Sequence, residues 1–215
     1  MKSLNLKTVA FALICAIAFG SVAFAADAKA SKSSSSTDKN WMVRGRLLAV
    51  VPDEDATLNI GGNVNIDNSV VPELDFSYFF DKNWAAELIL ATAPHNAKAT
   101  AGPIDLGKVW LLPPTLTLQY HFDNFEGFKP YVGAGVNYTW FYNVDKGPAI
   151  NSIHYDSSFG PALQVGVDVP VGNDWYFNAD LKKIWINTDV KANGAVTADV
   201  DINPWVFGIG MGYRF

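Results

Sequence analysis

With 215 residues, 49% of them hydrophobic and 13% aromatic, the chain can bury one sizeable core, and its formal charge of −5 argues against nucleic acid as a partner. The only cysteine is Cys15, so no disulfide framework can be built. No apolar run reaches the roughly 20 residues of a membrane-spanning helix, which leaves strands as the means of crossing a bilayer.

The N-terminus reads as an address. Lys2 and Lys7 precede the apolar run from Val9 to Phe19, and Ala23-Phe24-Ala25 supplies a small-x-small cleavage pattern. Residues 1–25 are therefore predicted to be a secretory signal peptide cleaved after Ala25. Ile14 stands before Cys15 where lipidation needs a small residue, so a lipid anchor is not expected. The mature chain keeps 14 basic and 21 acidic residues, a formal charge of −7. Residues 26–40 are rich in Ser, Lys and Ala without periodicity and read as a flexible periplasmic leader.

From Trp41 to Phe215 eight stretches have the length and alternation of strands: 41–51, 72–80, 84–93, 115–122, 131–142, 158–169, 175–187 and 204–215. Short turns at 81–83, 123–130 and 171–174 alternate with long segments near 52–71, 94–114, 143–157 and 188–203, which read as loops. This pattern predicts an all-β fold, an eight-stranded antiparallel transmembrane β-barrel with short periplasmic turns and long extracellular loops. The alternation is clearest at the C-terminus. Trp205, Phe207, Ile209, Met211, Tyr213 and Phe215 share one face, and Val206, Gly208, Gly210, Gly212 and Arg214 the other. A sandwich edge strand in a soluble protein is the alternative. An outer face against lipid gives the aromatic row a reason, and Phe215 as last residue offers a handle to outer-membrane assembly machinery.

The inward set divides by height. Arg44, Arg46, Glu87, His121, Asp168, Asp180 and Arg214 are expected in the periplasmic half, with Lys182 near the middle. Mixed charges in a narrow barrel must pair, so this half should be a salt-bridged plug. Leu48, Val50, Ile89, Ala91, Phe141, Ile184, Ile186 and Val206 are expected in the outer half. That apolar lining is either a dry packed interior or a pocket for an apolar molecule. Glu73 and Asp75, expected at the top of the second strand, run against it and could hold loop cations.

The segment Leu112-Pro113-Pro114-Thr115-Leu116-Thr117-Leu118-Gln119-Tyr120-His121-Phe122 resembles the Leu-Pro-Pro-Thr-x-x-x-Gln-Tyr-x-Phe stretch of the OmpW family. Lys129-Pro130-Tyr131-Val132-Gly133-Ala134-Gly135-Val136-Asn137-Tyr138-Thr139 resembles its following turn and strand, and Tyr213-Arg214-Phe215 its ending. The resemblance spans the chain from about Trp41. It implies an outer-membrane barrel that takes up small hydrophobic molecules passively through an apolar upper lumen, with a blocked lower half and exit sideways into the bilayer. Pro113 and Pro114 are the lateral-exit candidates, because proline cannot donate to a sheet ladder.

Two rivals are carried: a structural, adhesion or receptor barrel acting through its loops, and a lipid enzyme. For the enzyme, His95 and His154 fall in predicted loops, His121 points inward far from the outer leaflet, and Gly-x-Ser-x-Gly is absent. No catalytic residue, cofactor or metal is expected. Asp53-Glu54-Asp55 lacks the rest of a calcium loop and reads as a solvated face. Gly133, Gly135, Gly208, Gly210 and Gly212 read as room for a narrow lumen. The expected location is the outer membrane of a Gram-negative bacterium, with bilayer lipid, lipopolysaccharide and a small hydrophobic ligand as partners.

Overall fold

The computed structural model describes residues 39–100, 104–148 and 150–215. The predicted signal peptide and the predicted leader up to residue 38 lie outside the described residues. In chain order the strands are β1 (Trp41–Val51), β2 (Asp55–Leu58), β3 (Val64–Ile66), β4 (Ser69–Phe79), β5 (Trp84–Ala91), β6 (Ala93–Ala99), β7 (Ile104–Leu112) and β8 (Thr115–His121). They continue with β9 (Lys129–Lys146), β10 (Ile153–Tyr155), β11 (Ser158–Gly172), β12 (Trp175–Ile184), β13 (Asn187–Ala192), β14 (Val196–Asp201) and β15 (Trp205–Arg214).

Eight of these close a ring in the order β11-β12-β15-β1-β4-β5-β8-β9, sealed by pairing of β9 with β11. Every pairing in it is antiparallel. First and last strands meet from Met42↔Arg214 to Val51↔Trp205, and Trp41 and Phe215 exchange both backbone bonds at 3.0 and 2.8 Å. No sheet edge is left in the barrel wall, which is what a lipid-facing sheet requires. Leu47, Leu74, Leu88, Leu118, Val132, Leu163 and Ile209 face outward and are exposed, as lipid-facing side chains must be. Trp41, Phe80, Trp84, Trp175 and Phe215 ring the base, and Trp140, Tyr142, Trp185 and Trp205 ring the top, where part-wet, part-dry aromatics belong.

The base turns are tight for local reasons. The Asp81 carboxylate accepts the backbone N–H of Asn83 and of Trp84, both at 2.7 Å. These two bonds hold its pKa below the usual carboxylate value. Asn173 and Asp174 adopt φ of 51° and 66°, the left-handed pair that a two-residue hairpin between β11 and β12 needs.

The four long segments differ from expectation. They are not open loops: seven further strands continue the wall outward in two sheets, β10-β13-β14-β2 on one side and β3-β6-β7 joined to the outer end of β9 on the other. Breaks at 52–54, 92, 113–114, 156–157, 185–186 and 202–204 mark the level at which the ring divides. Pro52, Pro113, Pro114 and Pro204 fall in these breaks, where a residue without a backbone N–H costs the ladder nothing. The expected loops escaped the strand pattern because both faces are weakly marked. On β6 the inward residues include Ala93, Ala97 and Ala99, while the outward ones meet water.

Candidate functional site

The lower lumen is filled from wall to wall. Arg44 pairs with Asp75 at 3.1 Å, Glu87 at 3.2 Å and Asp168 at 2.9 Å. Arg46 pairs with Glu73 at 2.6 Å, Asp75 at 2.7 Å, Glu87 at 3.0 Å and Asp180 at 3.0 Å. Lys182 closes the group on Glu73 at 3.1 Å and Asp180 at 2.7 Å. Because three cations face five carboxylates here, amide donors are needed as well. Gln119 donates to Glu87 at 2.7 Å, Gln164 to Asp180 at 2.8 Å and Asn178 to Asp168 at 2.9 Å. All these side chains are buried. Charges taken out of water persist when paired and hydrogen-bonded, and every charge here has an opposite partner, although Asp180 Oδ1 makes no hydrogen bond.

Glu73 and Asp75 correct the expectation. They belong to the plug, not to the rim: β4 starts at Ser69 and its register sets Asp75 opposite Arg44 and Glu73 opposite Arg46. Arg214 is the second correction. It is half-buried at the periplasmic rim, its guanidinium 3.9 Å over the Phe79 ring and its Nε donating to the Lys39 carbonyl at 2.8 Å. The last strand brings it to the base, one step below the reach of the plug carboxylates. His121 forms the underside, stacked on Tyr131 and packed against Phe79, with Nδ1 3.8 Å from Asp168. The inward glycines make room for the arginines. Gly212 lies opposite Arg44 and Gly210 opposite Arg46, and a Cβ on Gly210 would stand 2.1 Å from the Gly45 carbonyl oxygen.

Above the plug the lumen turns apolar. A lower chamber with about 580 Å³ of empty space, open solvent included, is walled by Leu48, Val50, Ile89, Ile184, Ile186 and Val206 and floored by Glu73 and Lys182. Between the two outer sheets lies an upper chamber of about 690 Å³ on the same measure, lined by Leu58, Val109, Phe141, Tyr155, Val190 and Val200 among others. Phe141 and Tyr155 stack at 5.5 Å. His95, Leu111 and Ile202 line both chambers, so the two adjoin one above the other. His95 was expected in a loop; it is on β6, buried and turned inward, with Nδ1 2.9 Å from the Asp67 carbonyl. The sequence signal was its place in the alternating set Ala93, His95, Ala97 and Ala99.

The wall lapses beside the lower chamber. The β5–β8 ladder stops at Ile89↔Thr115 and β6–β7 resumes at Ala93↔Leu111. Between β8 and β9 the pairs stop at Thr115↔Asn137, and β7 resumes at Leu112↔Trp140. The Asn137 amide bridges this gap to the Pro113 carbonyl at 3.1 Å, the Pro114 carbonyl at 3.3 Å and the Thr115 hydroxyl at 2.8 Å. On the other side of β5 the β4–β5 ladder ends at Glu73↔Ala91, while β3–β6 begins at Ile66↔Ala97. Pro113, Thr115, Val71, Ala91 and Ala93 from these lapses all line the lower chamber.

A closed ring with a lipid-facing exterior, girdled by aromatics and divided inside into charge and apolar space, defines an outer-membrane β-barrel. The model of the OmpW family matches residues 38–215, and the chain belongs to that family. It is 42% identical to the uncharacterized outer-membrane protein y4mB of Sinorhizobium fredii, covering 94% of this chain and 96% of the relative. It is 30% identical to the dibenzothiophene metabolism operon protein PahQ of Pseudomonas aeruginosa, over 81% of this chain and 88% of that one. Among solved structures, the outer membrane protein OprG of Pseudomonas aeruginosa superposes with a TM-score of 0.76 at 30% identity, covering 82% of this chain and 95% of OprG. The protein is an outer-membrane protein.

Proposed function

We propose that the protein is a passive conduit for small apolar molecules. In this reading a solute enters between the outer sheets, descends the apolar column, stops at the ionic floor and leaves sideways into the bilayer. One observation carries it: two adjoining apolar chambers end on a buried charged plug, at the level where the wall ladders lapse beside Pro113 and Pro114. Lipopolysaccharide impedes apolar solutes at the outer leaflet, and a greasy path through it lowers that barrier without catalysis or an energy source. The name of PahQ, tied to the metabolism of a polycyclic apolar compound, agrees with such a cargo.

The test is uptake of a radiolabelled apolar solute by cells. Deletion should slow it, and Phe141→Asp or Ile184→Asp should slow it equally, because a lone carboxylate in the column opposes an apolar passenger. Wild-type uptake by either variant, with normal amounts folded in the membrane, rejects the conduit.

A second reading, a surface barrel acting through its outer sheets, has one observation in its favour. On the four-stranded sheet Asp201 lies directly opposite Asp55, and Asp199 opposite Asp189, an arrangement of like charges that costs folding energy. Trimming β13 and β14 would remove a surface phenotype that column substitutions leave intact.

A further inference from the structure

The lining of the two chambers is mostly apolar, and one of its few polar side chains is shared by both. His95 is 4% exposed and, with Leu111 and Ile202, lines both chambers. Its Nδ1 is 2.9 Å from the backbone carbonyl of Asp67, and a carbonyl can only accept, so Nδ1 carries the ring proton. In the neutral ring Nε2 is then a lone-pair acceptor. Among the described residues the ring hydrogen bond seen is that of Nδ1, and Nε2 is not one of the sealed buried atoms without a partner, so it has access to the chambers that His95 lines. The other polar side chains of the column are occupied: Thr115 donates to the Pro113 carbonyl, Thr188 to the Asp156 carbonyl, and Glu73 and Lys182 hold each other.

We infer that His95 is a recognition point for a hydrogen-bond donor, and that the molecules taken by this column are apolar bodies carrying one neutral hydroxyl or N–H group, such as phenols and alcohols. The inference rests on the conduit reading and narrows its cargo. A purely apolar solute passing His95 leaves a buried ring nitrogen unpaired, whereas a hydroxyl on the same skeleton satisfies it. Two further features agree. Burial lowers the His95 pKa, which keeps the ring neutral and Nε2 accepting at pH 7. The Phe141–Tyr155 stack in the chamber above offers ring faces to a planar passenger. Nor is the imidazole free to turn away, because its bond to Asp67 ties it to the segment between β3 and β4.

The test uses the full mature barrel in lipid nanodiscs with 1-naphthol and naphthalene, which share a skeleton and differ by one hydroxyl. Binding is corrected for partition into empty nanodiscs, and the His95 Nε2 resonance is followed by ¹⁵N NMR. The expected result is about ten-fold tighter binding of 1-naphthol. The Nε2 resonance should shift with 1-naphthol and not with naphthalene. His95→Leu should remove the ten-fold difference between the two probes. The NMR comparison on the wild type stands even if that variant folds poorly. Equal binding of the two probes, or an unmoved Nε2 resonance, overturns the His95 site and leaves the conduit standing. Binding of neither probe overturns both.

Discussion

The lower and upper halves of this lumen are made by the same alternating strands and enclose opposite chemistries. Below, three cations, five carboxylates and the amides of Gln119, Gln164 and Asn178 hold one another through short contacts. Above, alanine, valine, leucine and isoleucine meet across space they do not fill. Directional pairing fixes each partner, so the lower half has no room to admit a passenger. Apolar contact has no preferred direction, so the upper half can exchange its own contacts for those of a ligand. Blocking and admitting are thus achieved in one barrel by a change of side-chain chemistry over a few residues of each strand, from Arg46 to Leu48 on β1 and from Lys182 to Ile184 on β12.

That contrast can be broken most severely from below. Arg46→Ala leaves Glu73, Asp75, Glu87 and Asp180 short of a shared cation, and should cost about 3–5 kcal/mol of folding stability. Urea unfolding in lipid vesicles measures it; a loss below 1 kcal/mol would mean that the plug is not a paired network. Gly210→Ala comes next, at about 1–3 kcal/mol by the same assay, because its Cβ has to displace the Gly45 carbonyl and the Arg46 stem. The equivalent volume added above should be tolerated. Ala93→Val, facing the lower chamber, should change stability by less than about 1 kcal/mol, since empty space is there to take two methyl groups.

The smallest effect sharpens the comparison at the boundary. Asn137→Ala removes the amide that bridges the Pro113–Pro114 gap and should cost about 1 kcal/mol. Backbone amide exchange at Tyr138, whose N–H bonds the Pro114 carbonyl at 3.1 Å, should accelerate with it. If release is sideways through this gap, uptake of an apolar solute by the variant should rise. Slower uptake with intact folding would assign the exit elsewhere.

Much of this was legible in the residues, with clear limits. The row Leu116, Leu118, Tyr120 and Phe122 against Thr115, Thr117, Gln119 and His121 tells outside from inside by residue type alone, and the structure faces them so. The outer strands were not legible, because a sheet with water on one side and alanine on the other lacks the strong contrast that lipid imposes. His95 was hidden with them.

From its sequence alone the chain determined the number of wall strands, the membrane they cross and the face each residue takes, because side-chain direction alternates by covalent geometry. The height of Glu73 and Asp75 was decided only by the tertiary structure. How far Glu73 and Asp75 lie along the barrel axis depends on which residues of β1 they pair with, and that register is set by ladders between segments some thirty residues apart. The place of His95 in the lining of both chambers is likewise a product of assembled sheets, which no single strand contains.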